Sequence, residues 1–412
     1  MKKPDMSKFF SDAAGGVKAS DVRELLKILT EPDVISFAGG IPDPLTFPRK
    51  ELVSIFDEMV ADDRMFEEAF QYRPTEGIPG FRKELVEYVG EIGIRADVKN
   101  ILLTSGSQQA LYAAADMFIN PGDAVVVGSP TYLGLIGPVR MRRGKFATVE
   151  LEQDGMKIEE LKGHLESGVR PKFLYIIPNF ENPSGVTTSL KKRKQIYELA
   201  CEHDFLILED DPYWRLRYRG KDIPSIKSFD DEERVMHLGS FSKVFTPGTR
   251  VGFMIAREDI VSKFTLAKQS YDLQTNSLGQ WLIWKYLERG DMPGHIKATV
   301  EFYKKKMLSM LDALEREFPE DSGFTWTRPD GGMFLWMTGP EGFDARKTLE
   351  ERLLDKKYMK SKGYDRRVAY VPGDGFYAEN PKRNTMRINF SKPTVGEIEE
   401  GIRILSEVLA EG

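Results

Sequence analysis

A chain of 412 residues is too long for one small core and short for three domains, so two unequal domains are expected. Apolar residues at 41% and charged residues at 30% are ordinary for a folded chain and argue against disorder. The net charge of −5 gives no electrostatic reason to expect nucleic acid as a partner, and one cysteine, Cys201, excludes an intrachain disulfide and suits a reducing cytoplasm.

The chain opens Met1-Lys2-Lys3-Pro4-Asp5 without the apolar stretch of a signal peptide, and no later run reaches the length of a membrane span. Ser20 is a candidate cap for a helix running through Arg23-Glu24-Leu25. Phe37-Ala38-Gly39-Gly40-Ile41-Pro42 reads as a glycine-containing turn. Four short apolar runs follow, at 101–104, 124–127, 173–177 and 205–208, with helix-length segments such as 108–118 and 190–203 between them. Nearly continuous apolar strands alternating with helices imply βαβ units and a largely parallel sheet covered on both faces. Ligands of such sheets bind beyond the carboxyl ends of the strands. The basic runs at 140–145 and 191–194 read as solvated surface, and Cys201 as helix packing rather than a nucleophile. Farther on, Ile296, Val300, Tyr303, Met307, Met310, Leu311, Leu314 and Phe318 recur every three or four residues, the mark of a long amphipathic helix stopped near Pro319. Strands are expected at 332–337, 368–371 and 386–390. The expected division is an N-terminal segment 1–45, a large domain 46–300 and a small C-terminal domain 301–412.

Four motifs carry chemistry. Thr104-Ser105-Gly106-Ser107-Gln108-Gln109 ends a strand and opens a helix, where small residues and the helix dipole suit a phosphate; a plain N-cap by Ser105 or Ser107 explains the same residues. Asn182-Pro183-Ser184-Gly185 reads alone as a turn. Glu209-Asp210-Asp211-Pro212-Tyr213 crowds carboxylates at a strand end, which is costly without a cationic partner such as a protonated pyridine nitrogen or Mg²⁺. The Mg²⁺ alternative lacks the P-loop expected beside it, and four scattered histidines have no metal-ligand spacing. Finally, Ser240-Phe241-Ser242-Lys243 could belong to a serine acyl enzyme, but Pro247-Gly248 breaks the helix that mechanism needs, and its partner motifs are missing. A lysine flanked by hydroxyls, with Arg250 seven residues on, suits an imine-forming amine beside a phosphate cradle.

Six motifs in order, Ser-Gly-Ser-Gln-Gln, Ser-Pro-Thr-Tyr, Asn-Pro-Ser-Gly, Glu-Asp-Asp-Pro-Tyr, Ser-Phe-Ser-Lys and Met-Arg-Ile-Asn-Phe, resemble those of class I/II aminotransferases of pyridoxal-5′-phosphate (PLP) fold type I. The segments 37–42 and 71–77 are most similar to the α-aminoadipate/kynurenine aminotransferase II group and thermophilic multi-substrate aminotransferases. The resemblance spans nearly the whole chain. It implies an α/β fold with a mostly parallel sheet sandwiched by helices in the large domain, and a smaller α/β domain.

The resemblance further implies that Lys243 holds PLP as a Schiff base and shuttles the substrate proton. Asp210 would pair with the pyridinium nitrogen, Tyr213 and Asn182 would hydrogen-bond the 3′-oxygen, and Tyr132 would stack on the ring. Gly106, Ser107, Gln108, Ser240, Ser242 and Arg250 would bind the phosphate, and Tyr72 would reach the neighbouring subunit's cofactor, implying a homodimer. Arg387 would grip the substrate α-carboxylate. Gly40 and Asn182 would line the substrate site, while Arg23 would either meet a side-chain carboxylate or face solvent. Ser184 stands where threonine is usual, and Glu181 where glutamine is common. The implied reaction is ping-pong transfer of an α-amino group, from 2-aminoadipate, aromatic or other donors, to a 2-oxo acid such as 2-oxoglutarate. Decarboxylation, elimination or racemisation on the same site is the alternative; a regulator that reuses the fold would need a DNA-binding module, for which the residues before the first helix leave no room.

Overall fold

The computed structural model describes residues 5–15 and 31–410. Its centre is an eight-stranded sheet. In spatial order the strands are Ile101–Thr104, Gly252–Ile255, Val235–Ser240, Leu206–Asp210, Pro171–Ile176, Ala124–Ser129, Lys145–Glu152 and Gly155–Met156. The five from Val235–Ser240 to Lys145–Glu152 are mutually parallel. Gly252–Ile255 runs antiparallel to both its neighbours, so the sheet is mostly, not wholly, parallel. Strand interiors such as Val125, Val126, Val127, Leu174 and Ile207 are fully buried, because helices cover both faces and leave no place for polar alternation.

Each of the four expected strands forms, and so do four that the apolar runs did not announce. Among these, Val235–Ser240 carries the histidine His237 in its middle, which interrupts the apolar signal. The strand expected at 205–208 extends to Asp210. Two of the crowded carboxylates therefore lie within it, and strand alternation sends Glu209 and Asp210 to opposite faces.

The basic run 191–194 is a correction. It lies on the helix Leu190–Glu202, but Lys192 and Arg193 are buried rather than solvated. Arg193 is fully enclosed and donates to the carbonyls of Pro178, Thr188, Ile223 and Pro224 and to Asn179 Oδ1. These chain turns expose carbonyls that no helix or strand satisfies, and the guanidinium fork gathers them. Cys201 is half-buried on the same helix.

The long helix runs Met292–Glu317 and packs along the C-terminal helix Val395–Leu409, which opens with a Thr394–Glu397 capping box. Beside them lies a four-stranded antiparallel sheet in the order Thr325–Trp326, Phe334–Thr338, Thr385–Asn389, Val371–Pro372. The strand expected at 368–371 is split. Arg367–Ala369 pairs in parallel with the N-terminal strand Val34–Ser36, and only Val371–Pro372 joins the larger sheet. Tyr370 turns away between them to donate to Ala345 O at 2.6 Å. The 37–42 segment is likewise more than a turn. Phe37 donates its amide to Ala369 O and accepts from Asn389 N, so it stitches the two small sheets together. The candidate cap at Ser20 and Arg23 lies outside the described residues.

Candidate active site

The helix Ser107–Phe118 begins where the strand Ile101–Thr104 ends, and Gly106 is its N-cap, with φ of 75°. That left-handed value favours glycine. A Cβ there would lie 2.6 Å from Arg250 Nη2, and one on Gly252 would lie 2.8 Å from Gly106 C and Ser107 N. The plain serine cap weighed above does not form, because Ser105 turns its hydroxyl to Asp272 Oδ2 at 2.9 Å. The first-turn amides therefore keep the positive end of the helix dipole without a side-chain acceptor. Over this end sits Arg250, itself left-handed at φ 54°, donating weakly to Ser242 Oγ at 3.4 Å and to Ser105 O at 3.5 Å. Ser240 Oγ accepts from the Ser242 amide at 3.2 Å. Gln108 Nε2 donates to Gly134 O, and the Tyr132 hydroxyl donates to Gln108 Oε1 at 3.4 Å. The arrangement is an anion cradle made of backbone amides, two hydroxyls and one guanidinium.

Lys243 lies between Ser242 and Arg250 in sequence and reaches across to the N-terminal segment, where Nζ donates to Gly40 O at 2.9 Å. Burial, then the charges of Arg387 and Arg250, pull its ammonium from the usual lysine range down to about 8.

The carboxylates crowded in sequence are separated in space. Glu209 faces His237, its register partner on the next strand, with Nδ1 3.0 Å from Oε2. It also accepts from Ser225 Oγ and Ile226 N. Burial works against its charge, but His237 and Ser225 outweigh that and hold it at about 2. Asp211 accepts from Asn179 Nδ2 at 2.6 Å, and through Asn179 it joins the Arg193 anchor. Asp210 accepts one hydrogen bond, from the Tyr175 hydroxyl to Oδ2 at 3.0 Å. Its other oxygen, Oδ1, is buried without a partner, and burial lifts the carboxyl to about 7. A buried bare carboxylate oxygen fits a cationic N–H donor. Among the described residues no three carboxylate, histidine or cysteine side chains converge as metal ligands.

Arg387 lies on Thr385–Asn389, 3% exposed. It donates to Asn182 Oδ1 at 2.8 Å and Ala38 O at 2.9 Å, while its Nε is buried without a partner. Phe334 and Phe376 rings flank its guanidinium at 4.3 and 5.0 Å. Burial lowers it to about 10. The Asn182–Pro183 peptide is cis, and Glu181 closes this turn by accepting from Ser184 N and Ser184 Oγ. That is the structural meaning of the glutamate at 181. Gly40 packs so tightly that a Cβ would meet Phe334 Cζ at 2.7 Å, and Tyr213 stands edge-on to the same ring at 6.0 Å.

Lys243, Asp210, Tyr213, Asn182, Arg387, Gly40, Tyr132 and the cradle residues thus gather at the carboxyl ends of the parallel strands. Tyr72 does not; it is 74% exposed on the surface. Arg23 lies outside the described residues. Tyr175, Asn179 and Arg193 were missed by sequence reasoning. Tyr175 carries a usable signal, since a tyrosine inside an apolar parallel strand needs a partner for its hydroxyl.

A model of the family "Aminotransferase class I and II" matches residues 34–405. The chain belongs to the class I and II aminotransferases. Aromatic-amino-acid aminotransferase 1 of Thermococcus litoralis is 42% identical over 99% of this chain and 95% of its own. The crystal structure of Pyrococcus horikoshii kynurenine aminotransferase in complex with PMP superposes with a TM-score of 0.91 at 42% identity, covering 99% of this chain and 98% of that one. The α-aminoadipate aminotransferase of Thermus thermophilus, complexed with N-(5′-phosphopyridoxyl)-L-leucine, does so with a TM-score of 0.89 at 35% identity, covering 99% of each chain. The aminotransferase is accordingly a PLP enzyme of amino-acid transamination, with the fold expected from its motifs. These relatives lend no support to elimination, decarboxylation or racemisation. Among the described residues no helix is long and apolar enough to cross a membrane.

Proposed function

We propose that this aminotransferase moves α-amino groups from a broad set of donors, 2-aminoadipate and aromatic amino acids among them, to a 2-oxo acid such as 2-oxoglutarate, with Lys243 as its catalytic amine. The observation that carries this reading is a pair of buried charged groups near Lys243, Asp210 and Arg387, each with one polar atom left bare. A ring N–H meets the need of the first, and a substrate carboxylate that of the second.

When bound, the cofactor supplies a conjugated ring that accepts the electron pair left as the substrate Cα–H bond breaks. Lys243 anchors it and then carries the proton away from Cα. Asp210 keeps the ring nitrogen protonated, held in orientation by Tyr175. Tyr213 and Asn182 would hydrogen-bond the 3′-oxygen, and Tyr132 would cover the ring face. Gly106, Ser107, Gln108, Ser240, Ser242 and Arg250 hold the phosphate. Arg387 takes the α-carboxylate bidentately, and Gly40, with no side chain, lets the substrate-side backbone pack against Phe334. Arg23 would meet the distal carboxylate of an acidic donor. The exposure of Tyr72 leaves it free to complete the site of a second copy in a homodimer. The sequence division into a segment 1–45, a large domain 46–300 and a small domain 301–412 is part of the same proposal, as is a cytoplasmic setting.

A screen of amino donors and oxo acceptors on the purified protein tests the substrate range. Addition of an amino acid alone should bleach the cofactor's visible band, and a 2-oxo acid should restore it. Lys243→Ala should abolish both the band and turnover; retention of either defeats the assignment. An unchanged KM for 2-aminoadipate in Arg23→Ala would remove that residue from the reading.

A further inference from the structure

Below the cradle lies a charged cluster that none of the roles above uses. Lys268 stands in the last turn of the helix Glu258–Tyr271, and Asp272 is the residue that ends it. A carboxylate at a helix C-terminus faces the negative end of the dipole, so this position gains nothing from the helix itself. Lys268 is 2% exposed, and burying an ammonium costs free energy unless it is fully partnered. Both groups direct their polar atoms to one place. Lys268 Nζ donates to Asp272 Oδ1 at 2.9 Å and to Gln109 Oε1 at 2.6 Å. Asp272 Oδ2 accepts from Ser105 Oγ at 2.9 Å and Gln109 Nε2 at 2.7 Å. Gln109 Oε1 accepts in turn from the Ser105 amide at 2.8 Å. Ser105 is thereby held by its backbone and its side chain together, immediately before the left-handed Gly106 whose backbone opens the cradle. The far side of the turn is anchored as well, since Gln274 accepts from Arg73 N and donates to Ser277 Oγ, which donates to Gln71 O.

We propose that Lys268 and Asp272 are positioning residues for the cofactor phosphate: they fix Ser105, and through it the amides of Gly106 and Ser107 and the carbonyl that faces Arg250. The inference rests on the assignment of that cradle to the phosphate. Its physical content is preorganisation. A turn held at Ser105 by two hydrogen bonds, whose acceptors are themselves braced by Lys268 and by each other, presents its amides without the ordering cost that a loose turn would meet on binding.

The role predicts a selective loss. Pyridoxal carries the same ring and aldehyde as PLP but no phosphate, so binding of both to the cofactor-free protein separates cradle from ring. The wild type should bind PLP far more tightly than pyridoxal. Asp272→Asn keeps the shape but gives one of its partners a mismatched N–H, and Lys268→Met removes the ammonium. Each should weaken PLP on the order of tenfold, as loss of hydrogen bonds to a charged group implies, while pyridoxal changes less than about twofold. Ser105→Ala removes a single bond and serves where a charge variant fails to fold; its loss should be smaller but equally confined to PLP. Equal weakening of PLP and pyridoxal would make the cluster merely structural, and variants that keep wild-type PLP affinity would overturn the role outright. A wild type that bound both alike would instead remove the cradle assignment on which the role depends.

Discussion

An amine attacks a carbonyl only when it is unprotonated, and an ordinary lysine holds its proton to beyond pH 10. Lys243 escapes this by burial and by two guanidinium neighbours, which bring it to about 8. Cofactor capture by the cofactor-free protein should therefore accelerate as pH rises through about 8 and level off above it. Arg250→Gln removes one of the neighbouring charges and should move that midpoint upward. Stopped-flow absorbance against pH checks both; a capture rate still climbing at pH 10 would show an unperturbed lysine. The candidate site residues are the layer of this chain that short motifs mark most clearly. Lys243, Asp210, Tyr213, Asn182 and Arg387 sit in short contiguous motifs, so their partners in sequence announce them. Tyr175 touches Asp210, and Asn179 touches Asp211 and Arg193, but both lie in ordinary strand and turn sequence, where only three-dimensional neighbours give them meaning.

The elements were legible where hydrophobic period alone decides them, as in the Met292–Glu317 helix and the buried strands. They were not where tertiary partners override local character. A Lys-Lys-Arg-Lys run on a helix looks solvated, yet Arg193 is enclosed because five oxygens from surrounding turns require a multidentate donor. Likewise the single apolar run at 368–371 divides between two sheets, because one partner strand comes from the distant N-terminal segment. Arg193→Met should strip those oxygens of their shared donor, leaving Pro178 O its bond from Thr188 N, and a cost of about 3–5 kcal/mol is expected for breaking a buried charged network. Denaturant unfolding measures it. A variant within 0.5 kcal/mol of wild type, the scale of ordinary surface changes, would return Arg193 to the surface reading.

At the scale of the molecule, the buried carboxyls make stability depend on pH. Asp210 and Glu181 are raised to about 7 by burial, and Asp211 is raised well above the usual range. A carboxyl whose folded pKa exceeds its unfolded value binds its proton more tightly in the folded chain. Its contribution is complete below about pH 4 and is lost as pH climbs to about 7. Glu209, held at about 2, contributes stability that is fully present above its unfolded pKa and lost only below it, so it stays constant across that window. The cofactor-free protein should thus lose thermal stability between about pH 4.5 and 7, and Asp210→Asn should flatten part of the decline. Identical pH profiles for the wild type and Asp210→Asn would contradict it.

The pairing of Val34–Ser36 with Arg367–Ala369 also sets a clock. Asp33 meets Arg367 across 334 residues, which takes roughly 17 to 67 s to synthesise at 5–20 residues per second. The early segment supplies Gly40 O to Lys243 and Ala38 O to Arg387, and is itself held by the last strands made. A ribosome therefore delivers the lysine midway through its work, yet the surroundings of that lysine close only once nearly the whole message has been read.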